Sequence, residues 1–283
     1  MRVAVASGKG GTGKTLVSTS LAWMLAEAGR EVAYVDVDVE APNGHLFLQP
    51  TTSTVRFSVQ VPTLAGDRCS GCGRCQEFCD SNAIVVVGHR VLVFDELCHS
   101  CGGCLIVCPD KALVEIPREV GTVEVGHARA GEGRLDFVAG TLDVGIARAT
   151  PLIEAVLRNA PDRQTVLIDT APGTSCPAVA AVRAADRVLL VTEPTPFGLH
   201  DLELAVQMCR LLERDAAVVI NRCDLGDDRV RAWLEQEGLP VLAEIPFLSE
   251  VAQGYASGRV GPVSSPLLAR LLEPVLAWLE ETP

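Results

Sequence analysis

The order of apolar and polar positions predicts buried strands separated by helices. A short β-rich run, RVAVAS, leads into a glycine-rich loop, and a helical stretch, LVSTSLAWMLAEAG, follows it and ends at Gly29. EVAYVDVD is predicted as a second buried strand, so strand, loop, helix and strand form a βαβ unit with parallel pairing. Further strands are predicted at LDFVAG, TVLIDTAPG, RVLLVTEP, AAVVINRCD and PVLAEIP, with helices between most of them. The pattern therefore predicts an α/β fold with a parallel sheet.

One region, roughly from Val61 to Pro117, interrupts this order. It is rich in cysteine and contains short hairpin-like runs, AIVVVGHRVLVF and ALVEI. It also repeats itself, because CDSNAI at 79–84 matches CPDKAL at 108–113 and four cysteines recur 29 residues later. We therefore predict a small inserted module at residues 61–117, within a discontinuous domain made of residues 1–60 and 118–283.

Composition narrows the class of protein. The chain has 283 residues, is 48% apolar and carries a net charge of −12, which disfavours binding to nucleic-acid phosphates or anionic lipid. The opening MRVAVASGKG has no signal-peptide pattern, and the C-terminal LLARLLEPVLAWLEETP lacks the basic face of a membrane-anchoring helix. Eleven cysteines in such a chain indicate metal-bound thiolates rather than a disulfide framework. We expect a cytoplasmic protein with no nucleic-acid partner and no membrane anchor.

The cysteine spacing carries the most specific chemistry, because the run Cys-x2-Cys-x2-Cys-x3-Cys occurs twice. In two-cluster ferredoxins the fourth cysteine of each run ligates the other cluster. The predicted ligands of the first 4Fe–4S cluster are Cys69, Cys72, Cys75 and Cys108, and those of the second are Cys79, Cys98, Cys101 and Cys104. Two zinc sites are the alternative, although zinc usually takes two cysteine pairs separated by a longer loop. The region resembles bacterial two-cluster ferredoxins, which implies one-electron transfer, although Asp80 replaces the proline expected after Cys79.

The segment GKGGTGKT matches the phosphate-loop pattern G-x-x-x-x-G-K-[ST] between a predicted strand and a predicted helix. In that context backbone amides cradle phosphates, Lys14 reaches the β- and γ-phosphates, and Thr15 ligates Mg²⁺. A glycine-rich turn without a ligand is the alternative. The candidate phosphate-binding residues are Gly8, Lys9, Gly10, Gly11, Thr12, Gly13, Lys14 and Thr15.

Lys9, at the second position of this motif, makes the chain similar to the deviant-Walker ATPases, which include MinD, ParA, Mrp and the nitrogenase iron protein. The resemblance implies an ATP-dependent homodimer in which Lys9 reaches the partner's nucleotide. DVDVEAPN resembles the switch I of these proteins. That match implies that Asp38 positions the attacking water and that Asp36 supports the Mg²⁺ shell.

Three later segments extend the same resemblance. VLIDTAPG resembles Walker B and switch II, which implies that Asp169 holds Mg²⁺ through water and that Gly173 senses the γ-phosphate. NRCD resembles the adenine-reading segment, with Asn221 as the contact. IPFLSEVAQGYASG resembles the loop that flanks the base.

The whole order resembles P-loop ATPases of the MinD type that carry an inserted ferredoxin module. This predicts an α/β P-loop NTPase domain with a small α+β ferredoxin-like insert, and a slow ATPase whose ATP-bound dimer gates electron transfer to a redox or metalloprotein partner. A cluster or metal carrier and a non-redox positioning ATPase are the alternatives. Cys176 follows Asp169 at the spacing of a cluster ligand in the nitrogenase iron protein, but Ile146 stands at the second ligand position. We expect a structural thiol packed near the start of a helix, and the alternative is that two Cys176 thiolates meet in a symmetric dimer and hold a transferred metal ion.

Overall fold

The structure is a computed structural model and describes residues 1–281. The chain divides into two compact units. The first comprises Met1–Val55, Val123–Thr141 and the chain from Ala149 onward, and the second comprises Arg56–Thr122 and Leu142–Arg148. The predicted insert, residues 61–117, falls within the second unit.

Strands and helices alternate along most of the chain. As far as the cysteine-rich region the elements are β1 (Arg2–Ala6), α1 (Lys14–Glu27), β2 (Val32–Asp36), α2 (Gly44–Leu48), β3 (Thr51–Leu64), α3 (Arg74–Phe78), β4 (Ile84–Val87), β5 (Arg90–Val93) and α4 (Gly103–Val107). They continue as β6 (Leu113–Ala130), β7 (Gly133–Leu142), α5 (Thr150–Asn159), β8 (Thr165–Asp169), α6 (Cys176–Arg183), β9 (Arg187–Thr192) and α7 (Pro196–Leu211). The last are β10 (Asp215–Asn221), α8 (Arg229–Glu237), β11 (Val241–Ile245), α9 (Ser249–Ala256), α10 (Gly261–Ser264) and α11 (Pro266–Glu280).

The main sheet of the described chain has the strand order β11-β10-β9-β1-β8-β2-β7-β6-β3. From β11 to β7 every neighbouring pair is parallel, which confirms the predicted parallel sheet for these seven strands. Their residues form near-continuous apolar runs because helices cover both faces of such a sheet. The carboxyl ends of β1, β2 and β8 meet at one edge, where ligands bind in open α/β sheets.

The core of the first unit packs around strands β1, β2 and β8 and helix α1. Tyr34 and Phe137 are fully buried and stack with ring centroids 5.8 Å apart. The C-terminal helix α11 buries Leu268, Leu272, Val275 and Leu279 and so packs as part of this unit. Among residues 1–281, no helix combines the length and the apolar character needed to cross a membrane.

Strands β3 and β6 are far longer than the sequence pattern indicated. They contain 14 and 18 residues, whereas only ALVEI, at the beginning of β6, was predicted as a short run. Most of β3 before Val61 is exposed or half-buried, so it lacks the apolar signature of a buried strand. The two-residue turn 131–132, with Gly131 at φ +56°, joins β6 to β7 as a hairpin.

The second unit contains the predicted hairpin and a duplicated turn-and-helix motif. Strands β4 and β5 pair antiparallel, with Ile84 opposite Val93. Helices α3 and α4 each begin after a glycine with positive φ, at Gly73 and Gly102. The repeated sequence therefore produces repeated local structure.

Candidate functional site

A cavity of about 380 Å³ lies beside the phosphate loop in the first unit. Its polar side includes glycines of the loop, Lys14, Thr15 and Asp38. Its apolar side comes from segment 245–255, which resembles the base-flanking loop. The lining residues are Gly10, Gly11, Gly13, Lys14, Thr15, Leu16, Asp38, Asn43, Pro172, Asn221, Arg222, Ile245, Pro246, Phe247, Leu248, Val251, Ala252 and Tyr255.

The phosphate loop is closed against Asn221 at the end of β10. The Asn221 amide Nδ2 donates to the Thr12 carbonyl oxygen at 2.8 Å, and Asn221 is 6% exposed. Gly13 has φ +100°, and a Cβ there would collide with the Asn221 amide. Glycine is therefore required at this position for two reasons, its backbone conformation and the close approach of Asn221.

Lys14 is held in place by Ser7, a residue that the sequence analysis did not single out. Lys14 Nζ donates to Ser7 Oγ at 2.9 Å, while Ser7 Oγ donates to the Lys9 carbonyl oxygen at 2.6 Å. The Gly173 amide donates to the Ser7 carbonyl oxygen at 2.9 Å. Burial lowers the pKa of Lys14, and the charges of Asp169 and Asp38 oppose that shift. Ser7 thus joins the phosphate loop, its lysine and the predicted switch II.

Two carboxylates stand side by side at the ends of adjacent parallel strands, since Asp36 of β2 is in register with Asp169 of β8. Both are 1% exposed. Burial, with the Asp169 charge alongside, raises the pKa of Asp36 well above its ordinary value. Burial also raises the pKa of Asp169, opposed by its hydrogen bond from Tyr34. Such paired buried carboxylates are suited to a divalent cation and its water shell.

The Asp36 carboxylate accepts hydrogen bonds from backbone amides of the loop that follows it. One of its oxygens accepts from the Asp38 amide at 3.1 Å, and the other accepts from the amides of Asn43 and Gly44 at 3.2 and 3.0 Å. The predicted role of Asp36 in the Mg²⁺ shell stays a prediction, but its contacts make it the organiser of loop 38–44. Asp38 lines the cavity, and burial together with Asp169 raises its pKa to about 6.

Tyr34 is a second residue that the sequence analysis missed. Its hydroxyl donates to Asp169 Oδ2 at 2.8 Å, and Ser18 Oγ donates to the same oxygen at 3.0 Å. Tyr34 lies inside a predicted buried strand, where an aromatic residue is expected to pack, so nothing in the local pattern signals this polar contact. The two hydroxyls fix the orientation of Asp169.

Lys9 does not line the cavity but forms an ion pair with Glu193, its Nζ 3.3 Å from Oε2. Arg222, which does line the cavity, binds the other oxygen of Glu193 at 2.6 Å. Glu193 is only 8% exposed, so this carboxylate joins two cations at the rim of the site. Glu193 belongs to no motif that the sequence analysis recognised, and Arg222 lies within NRCD, where only Asn221 was assigned a role.

The cavity brings together seven predicted site residues: Gly10, Gly11, Gly13, Lys14, Thr15, Asp38 and Asn221. Within the described chain, six others lie outside its lining: Gly8, Lys9, Thr12, Asp36, Asp169 and Gly173. Most of these six contact the site through hydrogen bonds to lining residues or their neighbours. Thr12 Oγ1 is buried and has no hydrogen-bond partner among residues 1–281.

The second unit contains two small cavities lined by cysteines. One is lined by Cys69, Cys72, Cys75 and Cys108 together with apolar side chains and Asp110. The other is lined by Cys79, Cys98, Cys101 and Cys104 together with apolar neighbours and the polar residues Gln60, Ser81, His99, Ser100 and Glu115. These are the two crossed sets that the ferredoxin spacing predicts, each with three cysteines of one run and the fourth of the other.

Backbone amides point at the sulfurs in the same way in both halves. The Ala83 amide donates to Cys79 Sγ and the Ala112 amide donates to Cys108 Sγ, both at 3.3 Å. Burial raises the pKa of Cys75, and it raises the pKa of Cys104 to about 11, with neighbouring thiols adding to both shifts. An iron-bound thiolate relieves that cost, because the metal stabilises the deprotonated form.

Within residues 1–281, no three His, Cys, Asp or Glu side chains converge closely enough for a single metal ion. A 4Fe–4S cluster is instead held by four thiolates around a larger body. The all-thiol donor sets and the amides directed at sulfur fit such a cluster. Cys176 belongs to the first unit and is exposed at the first position of α6, so the expectation of a packed thiol is wrong.

Fold and site define a P-loop nucleotide-binding protein. The chain matches the family model described as CbiA, the CobQ/CobB/MinD/ParA nucleotide binding domain, over residues 3–261. It therefore belongs to the CobQ/CobB/MinD/ParA family of nucleotide-binding proteins. The resemblance to MinD and ParA proteins that the sequence predicted is confirmed at this level.

Known proteins share long stretches of the chain. It is 28% identical over 274 residues to the uncharacterized protein MJ0579 of Methanocaldococcus jannaschii, covering 92% of this chain and 90% of that protein. It is 33% identical over 227 residues to MJ0578 of the same organism, covering 78% of each. A shorter match, 50% identical over 42 residues, is to an iron-sulfur cluster carrier protein of Saccharolobus solfataricus and covers 15% of this chain and 14% of that protein.

Solved structures share the fold. The cell division ATPase MinD of Pyrococcus furiosus superposes with a TM-score of 0.58 at 19% identity, covering 99% of this chain and 98% of that one. At this identity the likeness concerns the fold alone.

Proposed function

We propose that this protein binds and hydrolyses ATP and that nucleotide-dependent dimerisation gates electron transfer by two 4Fe–4S clusters. In this proposal residues 1–60 and 118–283 form the P-loop domain, and residues 61–117 form an inserted ferredoxin-like domain. The observation that carries the proposal is the lining of two cavities in one unit by four cysteines each, in crossed sets. When bound, the clusters supply one-electron carriers.

At the nucleotide site the proposed roles come from the phosphate-loop motif and the family resemblance, and the contacts support them. Lys14, buried and already directed by Ser7, supplies positive charge to the β- and γ-phosphates. Thr15 and Asp169 hold Mg²⁺, Asp169 through water and in the orientation set by Tyr34 and Ser18. Asp38, at the cavity wall, orients the attacking water. Asn221 fixes the phosphate loop, and the apolar segment 245–255 flanks the base.

The proposed ATP-dependent homodimer rests on Lys9 and on the likeness to MinD and ParA proteins. Lys9 does not line its own cavity but pairs with Glu193 at the rim, so reaching the nucleotide of a second copy would require Lys9 to leave Glu193. Closure of that dimer would be sensed at Gly173, whose amide is tied to Ser7 at the phosphate loop. We further propose that the protein works in the cytoplasm with a redox protein or metalloprotein partner.

The test begins with protein purified without oxygen and analysed for iron, sulfide and zinc. We expect about eight irons and eight sulfides per chain and slow Mg²⁺-dependent ATP hydrolysis. Cys75→Ser and Cys108→Ser should each remove the same cluster, since both cysteines line one cavity. Cys176→Ser, which changes an exposed thiol outside both sets, is the control and should keep all the iron.

Coupling is tested by an EPR-monitored redox titration with no nucleotide, with ATP and with a non-hydrolysable analogue. We expect nucleotide to shift at least one cluster midpoint or its rate of reduction. Stoichiometric zinc with little iron would disprove the cluster assignment. Unchanged midpoints and unchanged reduction rates in all three conditions would disprove the gating.

A cluster carrier is the second candidate. Cys72 and Cys101, one in each set, are exposed, so each proposed cluster has a ligand that an acceptor protein can reach. The short match to an iron-sulfur cluster carrier protein favours the same function. A carrier should transfer its iron to an apo-acceptor faster than it exchanges electrons, whereas an electron-transfer protein should keep its iron over many redox cycles.

A further inference from the structure

The two cysteine runs differ at the residue immediately before the second cysteine of each run. In the first run this residue is Gly71, with φ +74°, and in the second it is Ser100, with φ +52°. A serine in the left-handed region is uncommon, because the side chain is disfavoured there. The duplication therefore keeps the backbone shape but introduces a side chain in one half only.

The hairpin explains why the first half must have glycine. A Cβ on Gly71 would collide with the carbonyl oxygen of Gly88, in the turn between β4 and β5. Ser100 carries its side chain at the equivalent position of the second run. Steric exclusion thus accounts for Gly71 but does not account for a serine in place of a second glycine.

The Ser100 hydroxyl is buried and has no hydrogen-bond partner among residues 1–281, and Ser100 lines the cavity of Cys79, Cys98, Cys101 and Cys104. A buried hydroxyl without a hydrogen-bond partner destabilises the folded state. A side chain that adds this cost to an unfavourable backbone conformation is best explained by an acceptor inside the cavity.

Other hydrogen bonds also place more donors beside the sulfurs of the second cysteine set than beside those of the first. The Ser100 amide is 3.4 Å from Cys98 Sγ, and the Ser81 hydroxyl is 3.4 Å from Cys79 Sγ. The residue that corresponds to Ser81 in the other half is Asp110, whose carboxylate accepts from the amide and hydroxyl of Ser70. The Ser81 hydroxyl therefore faces a sulfur of the second set, whose cavity Ser100 also lines, and a carboxylate stands at the place corresponding to Ser81 beside the first set.

The charged side chains near the two cavities do not offset this difference in hydrogen-bond donors. Each cavity has one carboxylate in its lining, Asp110 in the first and Glu115 in the second. Arg148 Nη1 donates to the Cys98 carbonyl oxygen at 3.2 Å, which adds a cation beside the second set. Because Arg74 acts on Asp110 beside the first set, a cation accompanies both sets, and the hydroxyls of the second set are what favour extra negative charge at that cluster.

We propose that the Ser100 hydroxyl donates a hydrogen bond to a sulfur of the cluster held by Cys79, Cys98, Cys101 and Cys104. This gives that cluster the higher reduction potential of the two. The inference rests on the proposed function, since it requires both clusters to be present. Reduction adds one electron to a cluster, and a donor at sulfur stabilises the more negative reduced state. An electron accepted by the protein therefore resides mainly on the second cluster.

The experiment is an EPR-monitored redox titration of the full-length protein with both clusters, comparing wild type with Ser100→Ala and Ser100→Gly. Alanine removes only the hydroxyl, and glycine reproduces the first half and relieves the backbone. We expect two distinct midpoints in wild type, and in both variants a lower value for the higher midpoint with the other unchanged. Ser70→Ala is the control, since that hydroxyl bonds Asp110 rather than a thiol, and it should not lower the higher midpoint.

A second measurement on wild type keeps the inference testable if a variant fails to assemble its clusters. ENDOR of the one-electron-reduced protein in H₂O and D₂O should detect an exchangeable proton coupled to the cluster that accepts the first electron. Equal midpoints in wild type, no effect of either Ser100 substitution, or absence of that exchangeable coupling would each overturn the inference. Eight irons with any of these results leaves the proposed function standing, whereas zinc in place of iron defeats both.

Discussion

The nucleotide site and the inserted residues 61–117, here called the cysteine module, differ in how their buried polar groups are partnered. At the nucleotide site the key side chains already have protein partners: Lys14 has Ser7, Asn221 has the Thr12 carbonyl, and Asp169 has Tyr34 and Ser18. In the cysteine module the thiols line two cavities. The hydrophobic core of the module is formed by the buried residues Cys75, Ile84, Cys104 and Leu113.

This difference has an energetic consequence. The first unit packs a large apolar core, in which Val3, Val5, Leu21 and Leu167 are completely buried. A unit whose core includes its own thiols has little apolar area to stabilise it, as in small metal-binding domains whose ligation supplies much of the folding free energy. The nucleotide site is preorganised by the fold, whereas we expect the stability of the cysteine module to depend on the clusters proposed for it.

Removal of iron tests this contrast most severely. Chelation from the full-length protein under reducing conditions should increase amide exchange in α3, α4, β4 and β5 by more than about 100-fold, because local opening then costs several kcal/mol less. Exchange in β1 and β8 and the affinity for nucleotide should change by less than about twofold. Hydrogen-exchange mass spectrometry with and without chelator measures both. Undiminished protection of the module after iron loss would contradict the comparison.

The reciprocal test is Lys14→Ala. Removing a buried cation from the phosphates should weaken ATP binding at least about 100-fold, equivalent to about 2.8 kcal/mol, and leave the iron content unchanged. Lys111→Ala, which removes an exposed lysine of the cysteine module, is the matched control. Calorimetric titration with a non-hydrolysable analogue measures the affinity. Loss of iron in Lys14→Ala would mean that the two sites are not independent.

The parts of these sites that are local in sequence could be predicted from it. The phosphate loop lies between a strand and a helix, and the carboxylates Asp36 and Asp169 end apolar runs, so parallel pairing alone brings them to one edge. The crossed cysteine sets followed from a duplicated spacing. In each case the signal lies within about a dozen residues.

Contacts between distant residues could not be predicted in this way. Tyr34 reaches Asp169 across two paired strands, and Glu193 joins Lys9 to Arg222 from the end of β9. An aromatic residue in a buried run and a carboxylate after a strand are common features whose partners depend on strand order. Strands β3 and β6 escaped prediction for the opposite reason, since their exposed residues dilute the apolar pattern.

Glu193 offers a sharper test of how fully the nucleotide site is preorganised. It binds Lys9 and Arg222 within one chain, so it competes with any partner nucleotide for Lys9. Glu193→Gln should strengthen ATP-dependent dimerisation about tenfold, equivalent to about 1.4 kcal/mol. Glu280→Gln, which breaks an exposed ion pair with Arg30, is the control and should have no effect. Analytical sedimentation with a non-hydrolysable analogue measures the dimer affinity. Weaker dimerisation in Glu193→Gln would contradict the prediction and would show that Lys9 acts while it is paired with Glu193.

The smallest expected effect comes from Tyr34→Phe, which removes one hydroxyl that binds Asp169 at the proposed Mg²⁺ site and keeps the ring that stacks on Phe137. Asp169 would retain Ser18 as a partner, so its orientation loosens without being lost. We expect the free energy of unfolding of the first unit to be about 1–2 kcal/mol lower in Tyr34→Phe than in wild type. The Mg²⁺ concentration for half-maximal nucleotide binding should rise about threefold, a loss of roughly 0.7 kcal/mol.

Tyr255→Phe is the matched control for this last prediction. The ring centroid of Tyr255 lies 4.3 Å from that of Phe47, and Tyr255 lines the nucleotide cavity. Within the described chain its hydroxyl makes no hydrogen bond to Asp169, whereas that of Tyr34 does. Denaturant titration and Mg²⁺ titration should therefore both match wild type in Tyr255→Phe. If Tyr34→Phe lowers stability without raising the Mg²⁺ requirement, the hydroxyl serves only the core. The preorganisation of Asp169 would then rest on Ser18 and the strand ends alone.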